Sequence, residues 1–325
     1  MRKVLVSGAS GIVGYGILRS LRGSGRQLTL IGTSIFGDSV AQGFCGIFEQ
    51  AIPTDDPNYV EWLLDTIRKH RIDLIVPGIE ADMHKWVEHI PAIEASGAVA
   101  VLNDATLIRL CGDKWAFYEK LTEAGMDCAI ESTLCAEFET LKLKFGLPFL
   151  LKPRHGFGAR GIVRIDDADT FAQHRERIGQ TLMAQAIVGN DDEEFTSSAF
   201  GDGRGGFFAC VTLKRRLSKD GFTEKAEVVS SDDFFEDMAH LCKTFRPIGP
   251  TNFQFRRCAD GNKLLEINPR ISSSTSIRTA FGYNESAMAV EYFLEHRAPT
   301  QPEIRRGRAV RYTDEVIFYE DGVHL

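Results

Sequence analysis

The sequence predicts a chain of two parts, α/β and then α+β: a Rossmann-like N-terminal domain over residues 1–110 and a larger domain over residues 111–325. Strand and helix patterns alternate through the first hundred residues, the texture changes near residue 110, and from about residue 182 the pattern turns strand-rich. Alternating elements favour a parallel sheet covered on both faces. A length of 325 residues also exceeds the roughly 100–200 expected of one domain.

Taken in order, Val4–Val6 is a short apolar strand, a glycine-rich turn follows, and Val13–Leu21 has helical spacing. Leu28–Ile31 is the next strand, Tyr59–His70 a helix, and Ile72–Val76 a strand closed by Pro77-Gly78. Asp113 is a good N-cap for a helix over Trp115–Ala124, with Gly125 as its C-cap and Lys114 in its first turn. Leu147–Lys152 is a strand entering a second glycine-rich loop, His155–Gly161. The later strands are Leu182–Val188, Glu194–Gly201, Phe207–Leu213, Asn252–Arg256 and Lys263–Asn268.

Hydrophobic residues at 43% and charged residues at 26% allow a sizeable core and exclude a disordered or low-complexity chain. A net charge of −7 argues against general affinity for nucleic acid. Seven cysteines, at 45, 111, 128, 135, 210, 242 and 258, are odd in number and contain no C-x-x-C, so free thiols in a reducing cytoplasm are expected. Met1-Arg2-Lys3-Val4-Leu5-Val6 runs straight into a strand and leaves no room for a signal peptide. No window approaches the roughly 18 apolar residues of a membrane span, and a cytoplasmic protein without membrane or nucleic-acid partners is expected.

Three segments carry chemistry. Ser7-Gly8-Ala9-Ser10-Gly11-Ile12-Val13-Gly14 follows strand one and opens a helix, as dinucleotide-binding turns do. A dinucleotide reader should carry an acid about 20 residues on, yet the second strand ends Ile31-Gly32-Thr33-Ser34. A nicotinamide site, a structural turn and a substrate-facing loop all stay open for it. Phe149 to Gly161 places Lys152 at the end of an apolar strand, where an anion explains it better than solubility does. The glycines 156, 158 and 161 then permit a loop whose amides could cover a polyphosphate; the alternative is a surface hairpin with a solvated lysine.

The third segment is Asn252-Phe253-Gln254-Phe255-Arg256 with Lys263-Leu264-Leu265-Glu266-Ile267-Asn268-Pro269-Arg270. Strand alternation puts Glu266 and Asn268 on one face and Leu265 and Ile267 on the other. A three-residue turn, Ala259-Asp260-Gly261 with left-handed glycine, sets Gln254 opposite Glu266 and Asn252 opposite Asn268; a two-residue turn would break that parity. Oxygen-bearing side chains then converge as a hard cation such as Mg²⁺ requires. The alternative is a hairpin with one polar face in solvent.

Lys114 in Gly112-Asp113-Lys114, Lys152 before the glycine loop, and Glu266-Ile267-Asn268-Pro269-Arg270 together resemble the ATP-grasp superfamily. The nearest likeness is to the synthetase domains of carbamoyl-phosphate synthetase and their stand-alone carboxylate–amine ligase relatives. The resemblance implies a Rossmann-like domain before a two-subdomain ATP-grasp fold, divided here into residues 111–181 with the lid loop and residues 182–325 with the metal site. It implies ATP and Mg²⁺ as cofactors, Mn²⁺ substituting, with Lys114 and Lys152 on the nucleotide phosphates. Gly156, Gly158, Arg160 and Gly161 would belong to the lid, and Gln185, Ala186 and Ile187 to the hinge that reads adenine, although glutamate is commoner at 185. Glu194 would be the acid near the ribose; Gln254, Glu266 and Asn268 would hold magnesium. Catalysis would fall to Lys152 and to Arg270, which meets the γ-phosphate and the acyl phosphate.

The implied activity is ATP-dependent joining of a small-molecule carboxylate to an amine through an acyl phosphate, in peptide, natural-product or surface-sugar biosynthesis. Carbamoyl-phosphate-synthetase-like activation of bicarbonate or carbamate is one alternative, and a nicotinamide-dependent oxidoreductase another; a homodimer is left open. Glu80, Asp82 and the 8–14 loop are expected to face the cleft. Lys214-Arg215-Arg216 either borders the site or forms a basic face at a strand end. Arg305, Arg306, Arg308 and Arg311 read as solvated surface, and His84 and His89 as helix-surface residues.

Overall fold

A computed structural model describes residues 1–156, 161–320 and 322–324. Its first sheet is parallel, in the order β3-β2-β1-β4-β5, from Arg2–Val6 (β1), Leu28–Ser34 (β2), Ile47–Gln50 (β3), Leu74–Val76 (β4) and Val99–Ala100 (β5). Both faces are buried, as parallel sheets require. Leu5, Ile31 and Ile75 point to one side, where they meet Tyr59, Leu63 and Ile67 of α2 (Tyr59–His70). Met83 and Trp86 of α3 (Glu80–Glu88) complete that layer.

Val4, Val6, Leu74 and Val76 point the other way, onto Ile17, Leu18 and Leu21 of α1 (Ile12–Arg22). That layer does not stop at the first domain. It continues into Phe200, Val211, Tyr283 and Met288, so one apolar core joins the N-terminal sheet to the large sheet described below.

Helices α4 (Ile90–Ala95) and α5 (Ala105–Cys111) lead to α6 (Lys114–Glu123). A second sheet, antiparallel in the order β6-β9-β7-β8, is built from Ser132–Thr133 (β6), Phe149–Pro153 (β7), Val163–Ile165 (β8) and Leu182–Gln185 (β9). Leu141 of α7 (Phe138–Phe145) and Phe171 of α8 (Ala168–Ala172) pack on its Phe149, Leu151 and Ala184. Leu150 and Lys152 therefore lie on the opposite face.

The third sheet has the order β14-β13-β10-β11-β12-β15, from Glu194–Asp202 (β10), Phe207–Leu217 (β11), Thr223–Val229 (β12), Ile248–Cys258 (β13), Gly261–Asn268 (β14) and Arg308–Val310 (β15). One face is apolar: Phe195, Ala199, Phe253 and Phe255 bury against Phe234, Met238 and Leu241 of α9 (Asp232–Phe245). The other face carries Thr196, Ser198, Asn252 and Gln254. Beneath it run α10 (Thr275–Ala280) and α11 (Glu285–Ala289), with Arg278 and Glu285 ion-paired at 3.1 Å and both fully buried. Among the described residues no helix is long and apolar enough to cross a membrane.

The β13–β14 hairpin corrects one expectation and keeps its consequence. Cys258 pairs with Gly261, so the turn has two residues and not three. Gln254 nonetheless lies opposite Glu266 and Asn252 opposite Asn268, because the register shifts by one residue between Gln254 and Phe255. Leu265 is the extra residue of that bulge. Leu264, not Leu265, joins Ile267 in the core, and the bulge returns Glu266 to the polar face.

Candidate active site

Asp113 caps α6, its side chain accepting from the amides of Trp115 (2.9 Å) and Ala116 (3.4 Å). Arg154 forks onto the same carboxylate at 2.6 and 3.3 Å. Burial works to raise the Asp113 carboxyl, but the Arg154 hydrogen bond and the capped amides hold it below its ordinary range, so it stays ionised. Lys114 donates its backbone N–H to Arg154 O (2.9 Å) and its ammonium to Gly156 O (2.7 Å). The start of α6 is thereby tied to the end of β7, which brings Lys114 beside Lys152. Burial pushes the Lys152 ammonium down from its ordinary value, against the upward pull of Glu266.

Glu266 is the counter-charge. Burial raises its carboxyl, yet Lys152, the Asn268 hydrogen bond (3.0 Å), Lys114 and Arg215 together hold it below the usual carboxylate range. Gln254, across the ladder, accepts from Arg215 at 2.6 Å. The donor set is one carboxylate and two amide oxygens, which suits a hard cation completed by phosphates and water. Among the described residues no three His, Cys, Asp or Glu side chains converge on a metal-sized site, so any divalent ion here leans on Glu266 and on the nucleotide.

The N-terminal domain supplies the facing wall. Ile12, Val13, Glu80 and His84 line a cleft of about 460 Å³ together with Lys114, Lys152, Gln185, Gln254, Glu266, Asn268 and Arg270. Arg270 is ion-paired with Glu80 of α3 and also donates to Ile271 O at 3.0 Å. Asp82, expected at the cleft, is instead buried under α3, where it accepts from Thr54 (2.6 Å) and Tyr59 (2.7 Å). The 8–14 turn reaches the cleft only through Ile12 and Val13. Its glycines have a packing role: a Cβ on Gly78 would lie 2.1 Å from Ser7 O and 2.8 Å from the Gly14 Cα, and one on Gly14 would lie 2.6 Å from the Ala9 Cα.

The other expected residues fall unevenly. Gln185 lines the cleft and donates to Ser132 Oγ at 3.0 Å. Ala186 and Ile187 lie past the end of β9, outside the cleft lining, and the Ala186 N–H is taken by Glu131 O at 3.0 Å. Glu194 is neither in the lining nor solvated. It is 5% exposed and pairs with Arg215 at 2.8 Å and Arg256 at 2.9 Å. Gly156 lines the cleft and Gly161 follows the loop, while Gly158 and Arg160 lie outside the described residues.

Arg215 and His84 are cleft residues that the sequence left undecided or on the surface. Arg215 lies on β11 between β10 and β12 and is buried against Glu194, a placement set by strand pairing. Arg311 also departs from the solvated run: its Nε donates to Thr223 O at 2.7 Å and its guanidinium to Ser273 O, beside the cleft. Arg305, Arg306 and Arg308 are exposed as expected.

Residues 194–316 match the model of a family described as ATP-grasp in the biosynthetic pathway with Ter operon. The chain is 24% identical over 198 residues to the uncharacterized protein y4rH of Sinorhizobium fredii, a match covering 53% of this chain and 38% of that protein. Pyruvate carboxylase 1 of Caenorhabditis elegans is 27% identical over 135 residues, 40% of this chain and 11% of that protein. The chain thus spans well under half the length of these curated relatives. Among solved structures, N5-carboxyaminoimidazole synthetase from Staphylococcus aureus in complex with ADP superposes with a TM-score of 0.71 at 16% identity, covering 93% of this chain and 80% of that one. Biotin carboxylase from Campylobacter jejuni in complex with an ATP analogue gives a TM-score of 0.75 at 12% identity, covering 94% and 74%. The chain as a whole thus has the fold of these solved neighbours, and residues 194–316, which include its third sheet, resemble an ATP-grasp family.

Proposed function

We propose that this chain is an ATP-dependent ligase that joins a carboxylate to an amine through an acyl phosphate, releasing ADP and phosphate. The observation that carries the reading is the convergence of Lys114, Lys152, Gln254, Glu266, Asn268 and Arg270 on one cleft. The solved neighbours with ADP, MgADP and ATP bound support ATP and Mg²⁺ as its cofactors. The biotin carboxylase domain of 2-oxoglutarate carboxylase from Hydrogenobacter thermophilus, a further solved neighbour, is a dimer, which leaves a dimer open for this chain.

Lys114 and Lys152 are suited to hold the phosphates, and Glu266 with the amide oxygens of Gln254 and Asn268 to hold magnesium. Magnesium, when bound, neutralises phosphate charge and keeps the phosphoryl group in line. The substrate carboxylate attacks the γ-phosphorus, the bond to the ADP oxygen breaks, and an acyl phosphate forms. Arg270 sits where it can hold that anion. An uncharged amine then attacks the acyl carbon, loses a proton, and displaces phosphate. No side-chain nucleophile is needed. The opposite charges of Lys152 and Glu266 limit the cost of burying either before ATP arrives.

The test is thermal unfolding with MgATP, NAD⁺ or NADPH. A ligand at about 100 times its Kd adds about 2.7 kcal/mol. MgATP is expected to raise the midpoint of the wild type by about 4 °C and that of Glu266→Gln by far less, with folding retained. Stabilisation by a nicotinamide nucleotide alone would overturn the reading in favour of an oxidoreductase.

A further inference from the structure

The Glu80–Arg270 pair is an odd feature for an anion site. Arg270 is the cation placed to receive a carboxylate and a phosphoryl group, yet a carboxylate from the N-terminal domain already sits on it. An acid there weakens the hold of the arginine on any plain anion, since a like charge enters the same few ångströms. The acids lining the cleft among the described residues are Glu80, Asp220 and Glu266. Glu266 belongs to the lysines, and Asp220 lies on an exposed turn. Neither the lysines nor the metal-suited oxygens engage Glu80, and a cation on the substrate would offset its cost to anion binding.

Resting on the ligase reading above, we propose that Glu80 and Arg270 form a receptor for the zwitterionic head of an amino acid, whose own carboxylate is the group that ATP activates. The two side chains touch, with Arg270 Nε 3.1 Å from Glu80 Oε1. A ligand that replaces their contact by one charge on each must carry its two charges close together, as an α- or β-amino acid does. Both hydrogen bonds from Arg270 to Glu80 go to Oε1, leaving Oε2 for a further donor. Ile12 and Val13, which line the same cleft, offer apolar surface for the side chain.

The chemistry assigns the direction of ligation. An ammonium held by Glu80 has no lone pair and cannot be the nucleophile. The carboxylate oxygen of the amino acid attacks the γ-phosphorus, ADP departs, and the ammonium stays protonated throughout. The amine that displaces phosphate from the acyl carbon belongs to a second molecule. A pair of opposite charges also rejects a plain carboxylic acid of the same skeleton, which would leave Glu80 facing an anion.

The experiment is ADP release by the full chain with MgATP and a panel of L-, D- and β-amino acids, each beside its deaminated counterpart and with hydroxylamine as acceptor. At least one amino acid is expected to drive release where its deaminated partner does not. In Glu80→Gln its KM rises about 10- to 100-fold, the worth of a charge-assisted hydrogen bond, while the KM for ATP moves much less. Glu80→Asp, which keeps the charge, recovers part of the loss. Release driven equally by deaminated acids, or by no amino acid in a protein that MgATP stabilises, overturns this assignment and leaves the ligase reading standing. Failure of MgATP to stabilise the wild type would instead remove the ligase reading itself.

Discussion

Replacing Glu194 with glutamine separates two roles that the same residue could play. In the structure its carboxylate is buried and bonded to two guanidinium groups, Arg215 through Nε (3.1 Å) and Nη2 (2.8 Å) and Arg256 through Nη2 (2.9 Å). Arg256 has a second acid, Asp191, at 3.0 Å, whereas the remaining side-chain bond of Arg215 goes to the neutral Gln254. Glu194→Gln therefore removes the acid that ion-pairs with Arg215 in the interior and leaves it only the more distant Glu266. Breaking a buried pair from one side costs about 3–5 kcal/mol. At about 2.1 cal/mol/K per residue, a 325-residue chain that unfolds as one unit loses about 4–7 °C of melting temperature. The assay is calorimetry of wild type, Glu194→Gln, Arg215→Met and the double variant. The double variant is expected to recover most of the loss, because removing both charges together leaves none unpaired. A Glu194→Gln protein that melts within about 1 °C of wild type yet is no longer stabilised by MgATP would refute the anchoring role and return Glu194 to the ribose.

The remaining predictions concern packing and pH. Gly78→Ala puts a Cβ against two backbone segments, Ser7 O and the Gly14 Cα, neither of which can rotate away; a loss above about 2 kcal/mol in urea unfolding is expected, and near-normal stability would mean the turn packs less tightly. Glu266 has a folded-state carboxyl held below its ordinary value of 4.5, so its contribution to stability is present above about pH 4.5 and is lost as pH falls through the folded value. Urea midpoints of wild type and Glu266→Gln should therefore converge on acidification from about pH 6 toward pH 3; a gap that stays constant would contradict the charge network.

Much of the fold was legible because its signals are local. The helix Tyr59–His70 follows from apolar spacing, α6 from the capping carboxylate of Asp113, and the buried strands β1 and β4 from unbroken apolar runs. Lys114, Lys152, Glu266, Asn268 and Arg270 were singled out by their resemblance to ATP-grasp motifs, and all five line one cleft. Short edge strands such as Ile47–Gln50 and Val99–Ala100 were missed, being too brief to show a period.

What the sequence by itself determined was the order of elements, the division between alternating and strand-rich halves, and which polar residues stand on the strands of the cleft. Tertiary structure decided the rest. Whether Gln254 meets Glu266 depended on a bulge at Leu265 that no turn signal records, because the ladder can absorb one residue anywhere along its length. Glu194 became an anchor for Arg215, Asp82 a buried acceptor and Glu80 the partner of Arg270, although all are acids near loops or helix ends in sequence. A charge takes its role from what lies across from it, and partners 21 or 190 residues apart are chosen by packing, not by spacing along the chain.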